Sequence, residues 1–163
     1  MESVVVRRRM GDALHALLRP MGFSKKAQLF SRPLNDVVQL VQLQGSASST
    51  AADVRCTVNV AVWVPELAAD ATASVEGAHW RQRIGNLGPE HSDFWWHIHD
   101  EQSLHEACVD LLRRVEAHAL PALALMASSG ALLVLWKSGR SPGLTAVQAA
   151  RYAEVLDRAR PRP

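Results

Sequence analysis

Apolar residues recur in two distinct periods along the chain, and the change of period marks where helix gives way to strand. In "MGDALHALLR" (10–19) Ala13, Leu14, Leu17 and Leu18 fall on one helical stripe, which Pro20 and Gly22 close. The segments "AQLFSRPL" (27–34) and "DVVQLVQLQ" (36–44) are short and rich in β-branched residues. With "PLND" between them they predict two strands joined by a tight turn. A polar loop, "GSASSTAAD" (45–53), leads to the clearest alternation in the chain, "VRCTVNVAVWV" (54–64). Val54, Cys56, Val58, Val60, Val62 and Val64 point one way, and Arg55, Thr57, Asn59, Ala61 and Trp63 the other. The first row is core. The second is mixed, which predicts a sheet face that is more open.

Two further stretches alternate. In "HWRQRIGNL" (79–87) Trp80, Gln82 and Ile84 oppose His79, Arg81 and Arg83. In "FWWHIH" (94–99) Phe94, Trp96 and Ile98 oppose Trp95, His97 and His99, so the paired tryptophans go to opposite faces. Leu104, Ala107, Cys108, Leu111, Leu112 and Val115 then form a helical stripe. Its start fits a capping box of Ser103 and Glu106, with Asp100 as the alternative N-cap. Residues 119–136 carry no charge and touch the length of a membrane span, but Pro121 and "SSG" (128–130) divide them into two short buried helices. A last helix, 144–158, opens on a Thr145–Gln148 capping box. Strands first and helices after predict an α+β domain spanning 1–163: an N-terminal helix, an antiparallel sheet of about four or five strands, and a helical C-terminal half.

Composition narrows the function classes without choosing one. At 163 residues, 48% hydrophobic and 21% charged, the chain has the make-up of one globular domain. A formal charge of +2 gives no strong field for nucleic acid or a membrane surface. Basic residues gather at "RRR" (7–9) and "RARPRP" (158–163), where frayed, solubilising ends are expected. Cys56 and Cys108 both fall on apolar faces and read as reduced core thiols of a cytoplasmic protein. The apolar run at the N-terminus precedes the arginines and is three residues long, which does not fit a signal peptide.

The order of motifs carries a resemblance. "LLRPMGFSKK…LFSR", "VVQLVQLQGS", "CTVNVAV", "RQRIGNL" and "DFWW" together resemble the bacterial domain of unknown function 4304 family, over roughly residues 10–126. C-terminal helices are expected over about 127–158, of which 130–158 look similar to that family's variable tail, with a basic end at 159–163. The resemblance implies a bacterial cytoplasmic protein with a compact α+β fold. It places Gln44, Asn59, Arg83, Gly85, Trp95 and Trp96 at motif positions, and it implies no activity and no catalytic residue.

Candidate chemistry lies on the second face. Arg81 and Arg83 share one side of a strand, and paired guanidiniums bind carboxylate or phosphate through parallel hydrogen bonds. Together with Asn59, Trp63, Trp95 and His97 they make an open surface of fixed donors and aromatic rings. The plain alternative is that Arg83 pairs with a nearby acid while Trp63 packs under a loop. Gln39, Gln42, Gln44 and Asn59 offer two-way amide hydrogen bonding, or satisfy backbone at bulges and edges. His97 and His99 stand two apart on a strand, and with His79 as third ligand they would form a metal site. Surface histidines beside a helix start are the plain reading of that pair. No GxSxG elbow, HExxH or phosphate loop occurs. The expectation is a non-enzymatic binding module without a cofactor, monomer or homodimer, that meets a protein partner or a small anionic ligand. The alternative is a small metal-dependent hydrolase using His79, His97 and His99.

Overall fold

The computed structural model describes residues 1–160. Helix α1 (Ser3–Leu18) is followed by strands β1 (Ser24–Lys26), β2 (Leu29–Leu34), β3 (Val37–Gly45) and β4 (Val54–Trp63). Strand β5 (Trp80–Arg83), the single helical turn α2 (Ile84–Leu87) and strand β6 (Trp96–Ile98) come next. The helical half comprises α3 (Glu101–Arg114), a π-helical turn (Val115–Ala119), α4 (Leu120–Leu125), α5 (Ser129–Lys137) and α6 (Ala146–Ala159). The fold is α+β. The sheet is antiparallel in the order β1-β2-β3-β4-β5, and β6 also pairs with β4.

Strand β4 organises the molecule, because its alternation is complete. Val54, Cys56, Val58, Val60, Val62 and Val64 are all buried on the inner face. There they meet Val6, Met10, Leu14 and Leu18 of α1, Leu104 and Leu111 of α3, and Leu123 of α4 in one apolar cluster. Beside β4, opposite β3, two short strands share one flank. β5 pairs with residues 59–62 and β6 with residues 54–56. The loop between them is stitched across the gap by Thr57, whose hydroxyl donates to the Phe94 carbonyl at 2.7 Å.

The outer face is divided. Trp63, Ala61 and Leu40 are buried beneath Val75 and Ala78 in a second, smaller apolar cluster, because residues 64–79 fold back over that half of the sheet. The mixed face predicted as open is therefore covered at the Trp63 end. It stays polar at the other end, with Gln42, Gln44, Asn59 and Arg83.

Several boundaries differ from the periodic reading. Helix α1 begins at Ser3, so the arginines at 7–9 are helical and not frayed; Arg9 Nη1 donates to Glu101 at 2.5 Å. The capping box of α3 is Asp100 with Ser103: the Ser103 N–H donates to Asp100 Oδ1 at 2.8 Å. Pro121 interrupts no helix. It lacks the N–H an α-helix would need there, and the π turn just before it moves the carbonyls out of register with the ring. The break comes after Leu125, where the axis bends by 87° into α5. No single described helix is long and apolar enough to cross a membrane. The basic end at 159–163 lies outside the described residues beyond Arg160.

Candidate functional site: the open half of the outer sheet face

Register places the candidate residues. Asn59 of β4 stands opposite Arg83 of β5, Ala61 opposite Arg81, and Gln42 of β3 opposite Asn59. The three strands thus present Gln42, Gln44, Asn59, Arg81 and Arg83 side by side on one face. All of these but Gln42 floor a cleft of about 430 Å³ that wraps over the free edge of β5, with Val75, Glu76 and Asn86 also lining it. Gly143 closes the cleft from the α5–α6 connection. It has φ +83°, and a Cβ there would lie 2.2 Å from Arg81 Cγ, so only glycine permits this approach. The Arg81 N–H donates to the Pro142 carbonyl at 3.2 Å, which fixes that connection along the β5 edge.

The polar groups are ordered by one another. Asn59 Nδ2 donates to Gln42 Oε1 at 3.0 Å and to Gln44 Oε1 at 2.7 Å. Arg83 Nη1 donates to both Asp93 oxygens, at 2.8 and 2.7 Å, and its guanidinium lies over the Trp95 ring at 5.0 Å. Trp95 Nε1 donates to Asp93 Oδ2 at 2.9 Å. The Arg83 guanidinium holds the Asp93 carboxyl below the usual carboxylate range, with burial opposing and the Trp95 N–H adding to the effect. Arg81 differs: Nη1 donates to the Glu76 carbonyl at 3.0 Å, and among the described residues it has no carboxylate partner.

The loop carrying Asp93 and Trp95 is anchored from beneath. Arg114 of α3 is buried, donating to Glu90 at 2.6 Å and Asp110 at 2.7 Å while stacking 3.8 Å from the Phe94 ring centre. Asp110 also accepts from Trp96 Nε1 at 2.9 Å. The two tryptophans do part, as alternation requires: Trp96 goes into the core, and Trp95 to the outer face beside Arg83.

Of the expected site residues, Asn59, Arg81, Arg83 and Trp95 come together. Trp63 shares their face but is 7% exposed under Val75 and Ala78, and it offers no surface there. His97 lies opposite Arg55, four residues along β4 from Asn59 and so roughly 13 Å away. It faces Asp53 at 3.2 Å, and His99 Nδ1 contacts the Ala52 carbonyl at 2.9 Å. His79 is elsewhere again. It is buried beside the far end of β4, its Nδ1 accepts from the Val64 N–H at 3.0 Å, and Tyr152 meets its ring edge-on at 4.9 Å. Burial pushes its pKa below the ordinary imidazole value. About 25 Å of strand separates it from His97. Among the described residues no group of three or more His, Cys, Asp or Glu is placed to hold a metal ion. Gln39, weighed with the other amides, is buried on the inner face and donates to the Leu123 carbonyl at 2.6 Å.

Sequence reasoning missed Glu76, Asn86 and Gly143. Glu76 and Gly143 reach the cleft from segments without periodicity, Gly143 from 60 positions beyond Arg83, and Asn86 lies where the expected strand turns helical, so no local signal pointed to them.

These features define an α+β protein with a divided outer sheet face and an amide- and arginine-lined cleft at its polar end. Residues 14–125 match the model of a family described as a domain of unknown function, DUF4304, and the chain belongs to that family. The match takes in the whole sheet and α3; α5, α6 and Gly143 lie beyond it. No curated protein and no solved structure matches the chain.

Proposed function

We propose that the protein is a binding module that holds an anionic group of a partner on the open half of its outer sheet face. An acidic segment of a protein is the first choice and a small anionic ligand the second. Arg81 is the observation that carries this reading: a guanidinium in a cleft, on the same face as Arg83, with no carboxylate partner among the described residues. Trp95 adds a flat ring beside Arg83, held in place by Arg83 and Asp93. Binding fits better than chemistry, since the described residues lining the cleft include no serine, threonine, cysteine or histidine. Two free thiols, one fully buried, suit a reducing compartment such as the bacterial cytoplasm.

The test is recovery of partners from a lysate of the source organism, using the wild type, Arg81→Ala, and an Arg83→Ala, Trp95→Ala double variant. All three should show the same circular dichroism. A partner held by the wild type and lost from both variants is expected. Equal recovery by all three would overturn the reading.

A further inference from the structure

The amides of the open face are oriented by their neighbours. Asn59 gives both hydrogens of its amide to the oxygens of Gln42 and Gln44. Each glutamine therefore turns its oxygen toward Asn59 and keeps its NH₂ for another acceptor. Gln44 is the one that lines the cleft, so it presents donors there. Arg81 and Arg83 present more, from Cα positions about 6.5–7 Å apart as residues i and i+2 of one strand. The cleft thus carries the donors of Gln44, Arg81 and Arg83 on its floor, beside the Asn59 oxygen and with Glu76 also among its lining residues.

One oxyanion already uses part of it. The Asp93 carboxylate takes Arg83 Nη1 on both oxygens and the Trp95 N–H on one, above an aromatic ring. The pair is accessible, with side-chain exposures of 33% for Arg83 and 52% for Asp93, so water and solutes compete for it readily. Asp93 shows how an oxyanion sits on Arg83; Arg81, which donates to the Glu76 carbonyl, has no carboxylate partner among the described residues.

We infer that the cleft takes an oxyanion, a carboxylate or a phosphate group, bridging Arg81 and Arg83 with the Gln44 amide as third donor, and that Asp93 is the internal competitor it displaces from Arg83. This rests on the reading of the open face as the binding surface, and names the chemistry of its ligand. Exchange of one anion for another on Arg83 keeps that guanidinium paired, and the gain comes from Arg81. Trp95 loses its carboxylate acceptor in the exchange, which makes its emission a reporter.

The experiment titrates the full chain with succinate and, separately, inorganic phosphate, against sodium chloride of equal ionic strength. Tryptophan emission and calorimetry are followed in the wild type, Asp93→Asn, Arg81→Ala and Trp95→Phe. A saturable emission change that disappears in Trp95→Phe is expected. Calorimetric affinity should rise up to about fivefold in Asp93→Asn, the scale of an exposed ion pair. It should fall about tenfold or more in Arg81→Ala, the scale of a charged hydrogen bond. Response to succinate alone, or to phosphate alone, supports the inference and assigns the source of the oxyanion. Asp93→Ser stands in if the asparagine variant does not fold. No saturable response to either anion, or the same response to chloride, overturns the inference. If a partner is still lost from Arg83→Ala, Trp95→Ala under that outcome, the surface reading stands and only the oxyanion falls. An Asp93→Asn affinity no higher than wild type would remove the competitor role.

Discussion

Gly85 shows how a single residue fixes the loop that carries the partners of Arg83, Asp93 and Trp95. A Cβ at this position would lie 2.2 Å from the Ser92 carbonyl oxygen and 2.6 Å from Phe94 Cβ, so the chain from 88 to 95 folds back onto bare backbone. Gly85→Ala should therefore cost about 2–3 kcal/mol, as overpacking against backbone does, read as a shift in the denaturation midpoint. Asp93 and Trp95 sit on that loop, so the variant should also weaken partner binding. Cys56 makes a second residue-scale prediction. Burial pushes its thiol up to about 11, and burial raises Cys108 as well, so neither is a ready thiolate at neutral pH. A thiol reagent should label the folded protein slowly and the unfolded protein fast at both positions; rapid labelling of folded protein at Cys56 would show that β4 is not buried as described.

Among the elements, those with an uninterrupted period match the sequence reading best. The hairpin of β2 and β3 turns at Asn35, with φ +53°, between Leu34 and Val37, where the turn signal stands. That turn also serves the helices: Asn35 donates to the Ala127 carbonyl at 2.9 Å, and Asp36 accepts from the Ser129 N–H at 2.9 Å at the start of α5. Helix α6 opens on the expected box, the Gln148 N–H donating to Thr145 Oγ1 at 3.2 Å. Thr145→Ala should cost about 1 kcal/mol, visible as faster amide exchange within α6. By contrast, the strand expected over 79–87 stops at Arg83, because residues 84–87 turn helical to bring Gly85 beneath the loop. Alternation there was real but ran four residues too far.

Across the whole molecule, depressed carboxyls tie the loop at 88–95 to β5, β6 and α3. Arg83 lowers Asp93 and Arg114 lowers Glu90. For Asp110, burial pushes upward but is outweighed by hydrogen bonds from Arg113, Trp96 and Arg114. Each folded value lies below its unfolded value of about 4. The stabilisation is therefore complete above the ordinary carboxylate range and is lost as pH falls through the folded values. Urea midpoints should be flat from pH 7 to about 5 and drop below about pH 4. An unchanged midpoint at pH 3 would mean that these pairs contribute nothing to the fold. Alternation at 54–64 and 94–99, the amphipathic stripes and the caps were legible from sequence alone, because backbone geometry sets their periods locally. What the sequence by itself determined was which side chains share a face: Asn59 with Trp63, Arg81 with Arg83, Trp95 against Trp96. Only the tertiary structure decided which part of that face is bare, since the cover over Trp63, the carboxylate on Arg83, the wall at Gly143 and the separation of His79 from His97 arise from contacts between distant segments that follow no period.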